Sequence, residues 1–351
     1  MFKPQYKLTN KIVQKLTAIA EAKAVIGGAK LLPTAEVKLR RQALVRMTHN
    51  STAIEGNLLN LQQVEAVLNN KTVRAPERDI YEVKNYLKAM KYIEKIAEKN
   101  KPVSERVILD IHKLVTAKTL PTTESGHYRQ GPIYVINQRA GFPSEVKYIG
   151  PAFQQAPSLI KNLIHWLSQS QEDDINPVII AGIAHAEIAA IHPFNDGNGR
   201  TARAVATLLL YRLGYDFRHL FALEDYYNKN RASYYKAIHL GKNYVERQTD
   251  LTSWLEYFVN GFAYEIENVK FEVLRLAISK AGQVAENKVY LTPAQLQILD
   301  FLSSIGRLTI NDAMFILNCP RRTAQLYLRI MKQKKLIKAV GQGPSSAYVL
   351  P

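Results

Sequence analysis

Cysteine is nearly missing from this chain: Cys319 is the only one in 351 residues. That excludes an internal disulfide framework and any cysteine-rich zinc site. Long apolar runs are missing too. The most hydrophobic stretch, residues 178–186, stops at Glu187 and falls short of the roughly 20 residues that cross a bilayer. No apolar segment follows the charges of residues 1–7, so no secretory signal is expected, and the chain is expected to be cytoplasmic with no membrane partner. Repeats and low-complexity tracts are absent. Acidic residues are in short supply, with 30 Asp and Glu against 47 Lys and Arg, a formal charge of +17. Such an excess favours anionic partners such as nucleotides or nucleic acid. Hydrophobic residues at 47% and charged residues at 22% are ordinary for a folded chain, and the length predicts two or three domains.

What is present is mostly helical periodicity. It predicts helices over residues 9–26, 34–50, 60–69, 77–98, 104–118, 153–170, 177–191, 200–213, 230–240 and 251–281, with Gly27-Gly28 breaking the first. Residues 126–150 read differently. Glycine, proline and β-branched residues there, with Pro132-Ile133-Tyr134-Val135-Ile136 and Val146-Lys147-Tyr148-Ile149, predict a hairpin. A domain boundary is expected in the polar stretch 281–288.

The chemistry concentrates in His192-Pro193-Phe194-Asn195-Asp196-Gly197-Asn198-Gly199-Arg200-Thr201-Ala202-Arg203, which joins two apolar helices. Gly197 and Gly199 permit positive φ, so successive N–H groups can face one anion. The helix that follows presents its positive end to the same place. Arg200 and Arg203, three apart, can share a face and grip phosphate oxygens. Asp196 offers a hard oxygen ligand of the kind Mg²⁺ takes together with substrate phosphates. His192 is a base of near-neutral pKa placed to accept a proton from a hydroxyl. The inventory describes group transfer from a nucleoside triphosphate.

This segment resembles the Fic family signature, H-P-F-x-D-G-N-G-R-x-x-R, at every defined position. The resemblance implies a protein adenylyltransferase that moves AMP from ATP onto a Tyr, Thr or Ser hydroxyl of a target protein or of itself, releasing pyrophosphate. It implies His192 as general base, Asp196 as the Mg²⁺ ligand, Gly197, Asn198 and Gly199 as the nest for the α- and β-phosphates, Arg200 on the phosphate tail and Arg203 on the γ-phosphate. The intact Gly-Asn-Gly favours AMP transfer over the phosphotransferase branch. Ser51-Thr52-Ala53-Ile54-Glu55-Gly56 resembles the family's inhibitory motif, a Ser or Thr four residues before Glu and then Gly or Asn. Ser51 and Glu55 then lie on one helical face, and the resemblance implies that Glu55 pairs with Arg203 and displaces the γ-phosphate. The hairpin at about 126–150 is similar to the family's flap, which holds the target by strand addition, with Gly126-His127-Tyr128-Arg129 and Ile133-Tyr134-Val135 resembling its entry and first strand. Tyr234-Tyr235 resembles a pair in relatives, with Tyr235 against the adenine and Asn243 nearby. His185, on an apolar helix, reads as a packing histidine.

The expected fold is mainly α: an N-terminal helical region (1–100) bearing the inhibitory motif, a Fic-like core (101–250) with a β-hairpin flap, connecting helices (251–290), and a tail (291–351). Three helices and two strands in the tail are similar to a winged helix-turn-helix. It carries eight Lys and Arg against two Asp and Glu, with Arg321 and Arg322 opening the would-be recognition helix and Lys332, Lys334, Lys335 and Lys338 beyond it. Two readings stay open for the tail, DNA binding and protein docking or dimerisation. Two alternatives stay open for the chain, a DNA-binding regulator whose core only senses nucleotide and a hydrolase that removes AMP with Glu55 positioning water.

Overall fold

Side-chain caps start several of the helices that periodicity predicts. Thr9 accepts from the Ile12 N–H, Ser104 from Val107 and Asn176 from Val178, while Asn60 and Gln63 form a reciprocal capping box. The computed structural model describes residues 2–137, 145–239, 241–247, 249–277, 292–341 and 347–350. The chain runs through α1 (Asn10–Gly28), α2 (Pro33–Ile54), α3 (Leu61–Leu68), α4 (Glu77–Glu98) and α5 (Glu105–Thr116) to a hairpin of β1 (Tyr134–Asn137) and β2 (Glu145–Ile149). It continues through α6 (Ala156–Glu172), α7 (Pro177–Ile191), α8 (Asn198–Arg212), α9 (Glu224–Lys229), α10 (Arg231–Ile238) and α11 (Thr252–Leu276). The tail holds α12 (Pro293–Ile305), α13 (Ile310–Leu317), α14 (Arg321–Gln333), β3 (Lys338–Val340) and β4 (Ala347–Val349). The fold is mainly α.

Helix α7 is apolar all round and therefore central, as a helix with no polar face must be. It packs against α8, α6 and α11. The Trp254 indole on α11 donates to the Gly182 carbonyl at 2.7 Å, and Gly182 lets α11 close in, because a Cβ there would meet Leu255 Cδ2 at 2.9 Å. Helix α1 lies along α11, and α2 runs past α4 and α9 to the start of α8. The central helices thus hold the 192–199 loop between rigid neighbours.

Several boundaries differ from the periodicity. Gly27 and Gly28 continue α1 instead of breaking it. Helix α2 runs four residues beyond the predicted end at 50, so Ser51 is inside it and Gly56, at φ 97°, ends it. The helix expected over 230–240 is α10, which Asn230 caps through the Ser233 N–H, and the short α9 before it, ending at Lys229, is not among the predicted helices. The predicted boundary at 281–288 lies outside the described residues.

The hairpin strands pair antiparallel, Tyr134 opposite Ile149, with an irregularity between Val135 and Ile136. In the tail, Ile298, Leu302, Leu308, Leu328 and Met331 form a second core, and Val37 of α2 joins it. Arg40 Nη1 of α2 lies 3.4 Å from Asp300 Oδ1 of α12. No helix among the described residues is long and apolar enough to cross a membrane.

Candidate active site

Helix α7 ends where His192 turns left-handed, φ 50° and ψ 59°. Its Nδ1 lies 3.1 Å from the Ala189 carbonyl. A carbonyl only accepts, so Nδ1 carries the proton and Nε2 is left as the basic atom. Burial holds the imidazole below its ordinary pKa, against the opposing carboxylates of Glu55 and Asp196.

The loop after it is pinned from several sides. His112, fully buried on α5, accepts the Gly126 N–H on Nδ1 at 2.9 Å and meets the Asp196 carbonyl with Nε2 at 3.0 Å. Its ring stacks on Phe194 with centroids 3.7 Å apart. Burial pushes its pKa down to about 4. Gly197 takes φ 78°, and a Cβ there would meet Thr116 Cγ2 at 2.7 Å, so glycine is required on both counts. Asn198 clamps the loop on itself, donating to the Phe194 carbonyl at 2.8 Å and accepting its N–H at 3.0 Å.

Asp196 and Arg200 belong to a closed ring of charges. Asp196 Oδ1 accepts the Gly197 N–H at 2.5 Å and lies 3.3 Å from Arg200 Nη2. Arg200 Nη1 lies 3.2 Å from Glu82 Oε1, which is also 3.2 Å from Arg78 Nε, and Arg78 Nη2 returns to Asp196 Oδ2 at 2.7 Å. Burial opposes the Asp196 charge, but Arg200, the Gly197 N–H and Arg78 outweigh it and hold the carboxyl below its usual value. Arg200 is thus enclosed between Asp196 and Glu82. As a hard-cation ligand Asp196 fits: it is ionised, and its outer oxygen faces only the half-exposed Arg78, a cation that another cation can displace. No cluster of three or more His, Cys, Asp or Glu suited to a metal occurs among the described residues.

The last turn of α2 meets the first turn of α8. Arg203 is buried, donating from Nε to Ser51 Oγ at 2.9 Å and from Nη2 to the Ser51 carbonyl and to Glu55 Oε1, both at 2.8 Å. Its Nη1 is buried with no hydrogen-bond partner among the described residues. Burial works against the guanidinium charge and the Glu55 carboxylate overcomes it, so its pKa is held above the ordinary value. Glu55 Oε1 sits on Gly199 so closely that a Cβ there would overlap it. An anion therefore already occupies the positive end of α8.

Tyr235 and Tyr234 part company. Tyr235 is half exposed and donates from its hydroxyl to the Ile54 carbonyl at 3.0 Å, one residue from Glu55. Tyr234 is buried, stacked on Tyr227 at 4.5 Å and 3.0 Å from His185 Nε2, so His185 lies in the aromatic core. Asn243 is at the flap's base, where its amide donates to Glu246 at 2.8 Å and its backbone bridges Ile149. Sequence reasoning missed the roles of Arg78, Glu82, His112 and Arg129, the last read only as part of the flap's entry. Arg129, 2% exposed, donates to the His192 carbonyl at 2.8 Å. None of the four lies in a local pattern with the loop, and no spacing rule could have found them.

Three comparisons place this geometry. Residues 102–210 match the Fic/DOC family. A protein adenylyltransferase Fic from Drosophila grimshawi is 31% identical over 202 residues, which is 57% of this chain and 38% of that protein. The chain therefore spans about two fifths of the length of that curated relative. Among solved structures, a Fic family protein from Desulfovibrio desulfuricans is similar over 100% of this chain and 98% of its own, with a TM-score of 0.64 and 25% identity. A Fic domain containing signaling protein from Bacteroides thetaiotaomicron is similar over 77% of this chain and 100% of its own, with a TM-score of 0.61 and 21% identity.

Proposed function

We propose that this chain, whose residues 102–210 are a Fic domain, transfers AMP from ATP to a hydroxyl side chain of a protein and is restrained by its own Glu55. The observation that carries the reading is the meeting of a basic His192 Nε2 with an anion site at the start of α8 in one loop. His192 takes the proton of the attacking hydroxyl, the hydroxyl oxygen bonds to the α-phosphorus, and the bond to the bridging oxygen breaks to release pyrophosphate. Gly197, which caps α8, and Asn198 and Gly199 in its first turn supply the positive helix end on which the α- and β-phosphates rest. Arg203, with an unfilled Nη1, takes the γ-phosphate. Arg200 keeps Asp196 in place and adds positive field toward the phosphate tail. Asp196 would hold Mg²⁺ together with the ATP phosphates, and the ion would there neutralise phosphate charge. Tyr235, beside the last turn of α2, stacks on the adenine. The outer edge of β1, unpaired among the described residues, receives an extended target segment, and the chain's own tyrosines compete for it.

Glu55 restrains this reaction because a carboxylate on Arg203 and Gly199 occupies the ground the γ-phosphate needs. A guanidinium N–H given to the carboxylate is not free for the γ-phosphate, so the two compete for one donor. A triphosphate displaced by about 1 Å loses roughly a hundredfold in rate. The test is labelling: α-labelled ATP should mark protein and γ-labelled ATP should not. The reverse pattern makes the chain a phosphotransferase. Loss of label from an AMP-modified protein, with free AMP produced, makes it a hydrolase.

The tail supports a second activity, DNA binding. Arg321 and Arg322 at the start of α14, and Lys332 and Lys338 beyond them, are exposed. Phosphate contacts release counterions, so DNA retention should fall steeply with salt. Retention that is absent or indifferent to salt leaves protein docking as the tail's role.

A further inference from the structure

His192 is held in a conformation that a residue with a Cβ adopts at a cost of about 1–2 kcal/mol, and a single distant side chain does much of the holding. The Arg129 main-chain N–H donates to the Pro193 carbonyl at 3.0 Å. Its Nε donates to the His192 carbonyl at 2.8 Å, Nη1 to the Gly131 carbonyl at 2.7 Å and Nη2 to the Pro151 carbonyl at 2.6 Å. Gly131 and Pro151 stand just outside the two strands of the hairpin, and the Gly150 N–H closes on the Ile133 carbonyl at 3.2 Å. One guanidinium therefore fixes both roots of the flap to the carbonyl of the proposed base. No carboxylate pairs with it among the described residues, and carbonyl dipoles alone hold a charge that is almost wholly out of water. A buried cation without a counter-ion is an expensive way to gain stability. A planar fork that must serve three carbonyls at once explains why arginine is there.

We infer that Arg129 is a positioning residue for the reaction proposed above, fixing the flap, and so the target hydroxyl, in register with His192 Nε2. The inference rests on that reading of the reaction. Two chain segments that act on one proton must be placed within a fraction of an ångström of each other, and errors of about 1 Å cost roughly a hundredfold. Tyr148 adds a weaker tie of the same kind, its hydroxyl donating to the Ala190 carbonyl at 2.7 Å. The guanidinium also raises the local positive potential. It is one of the charges facing His192, with Glu55 and Asp196 opposing it.

The experiment compares Arg129→Met and Arg129→Lys in the full chain carrying Glu55→Gly, with two readouts. Turnover with α-labelled ATP should fall about a hundredfold in Arg129→Met, while KM for ATP stays within about threefold, because neither Arg203 nor the 197–199 turn touches Arg129. The imidazole NMR titration of His192, identified by its loss in His192→Ala, should shift to higher pH in Arg129→Met, since a nearby cation no longer disfavours protonation. Arg129→Lys should restore the titration but leave turnover at least about tenfold low, because an ammonium cannot serve three carbonyls in a fork. Unchanged turnover and titration in Arg129→Met would overturn the inference. So would a parallel collapse of ATP affinity, or full recovery by lysine. If Arg129→Met does not fold, the lysine variant decides alone, and parent-like turnover there sinks the idea. If the Glu55→Gly parent labels no protein, the proposed reaction fails, and an unmoved His192 titration then rejects Arg129 separately.

Discussion

The 192–199 loop and the last turn of α2 face each other across the same few ångströms and are held in opposite ways. The loop is over-determined. His112 bonds it through Nε2 while the Gly126 N–H fixes Nδ1, Phe194 stacks on that ring, Asn198 closes two hydrogen bonds on Phe194, and Gly197 abuts Thr116. Opposite it, Ser51 is buried and accepts two hydrogen bonds from Arg203, but the Glu55 carboxylate is 30% exposed and reaches Arg203 through Oε1 alone among the described residues. A third phosphate brings three oxygens to the same arginine and can compete only where the incumbent is weak. The loop keeps one geometry through many contacts, whereas the proposed restraint hangs on one partly exposed carboxylate that a phosphate can displace. Each side can be broken separately.

The largest effect is expected on the loop's side. His112 has a folded pKa of about 4, below the ordinary 6.5, because burial leaves no room for a second ring proton. A lowered folded value means the stabilisation is complete above pH 6.5 and is lost as pH falls from there toward 4. The loss is roughly 3 kcal/mol for this residue, and His185, pushed down to about 3, acts in the same direction. Denaturant unfolding at pH 7, 5.5 and 4 checks it. The stability gap between the parent and His112→Gln should shrink as pH falls, and a constant gap would reject the assignment.

Next comes the proposed base, His192. His192→Ala should lower AMP transfer by about a hundredfold or more, some 2.7 kcal/mol of barrier, with nucleotide affinity largely kept. Steady-state labelling beside equilibrium nucleotide binding separates the two. On the other side of the contact, Glu55→Gly should raise transfer and self-labelling at least about tenfold, near 1.4 kcal/mol. His192→Ala in that background should erase the gain. Arg203→Ala should not imitate it, since it frees Glu55 and removes the phosphate clamp together. Unchanged labelling by a folded Glu55→Gly protein would make the ion pair a packing contact.

What could be read in the sequence follows the same division. The twelve residues 192–203 are contiguous, so their chemistry is visible as a string, and so is the Ser51–Gly56 spacing. The helix carrying Ser51 reads four residues short, because Ser51 and Thr52 weaken helix propensity and the last turn is held instead by the Ser51 contacts with Arg203, which only tertiary packing supplies. The supports of the loop are not legible at all. Arg78 reaches Asp196 across 118 residues, His112 across 84, and Arg129 reaches His192 across 63. Such contacts depend on how α4, α5 and the flap pack on α8, which no local pattern encodes. Arg200 illustrates the limit from the other direction: its place three before Arg203 suggests a shared phosphate face, yet Glu82 on another helix encloses it.

The smallest expected effect sharpens the contrast most. Tyr235 donates its hydroxyl to the Ile54 carbonyl, one of the C-terminal carbonyls that a helix leaves without an internal partner. Removing the hydroxyl with Tyr235→Phe costs about 1 kcal/mol at a site where water can substitute. That cost falls only on the form in which α2 keeps its last turn closed, so the open form gains about two- to fivefold in population, and transfer rises by the same factor. The gain should vanish in the Glu55→Gly background, where the closed turn no longer blocks the phosphate, so the two substitutions should be non-additive. Tyr235→Ala divides the two roles of the ring: if it stacks on adenine, ATP affinity falls in both backgrounds, whereas Tyr235→Phe leaves it unchanged. A Tyr235→Phe gain that persists without Glu55 would mean the hydroxyl restrains something other than the carboxylate, and the last turn of α2 would not be the weakly held side.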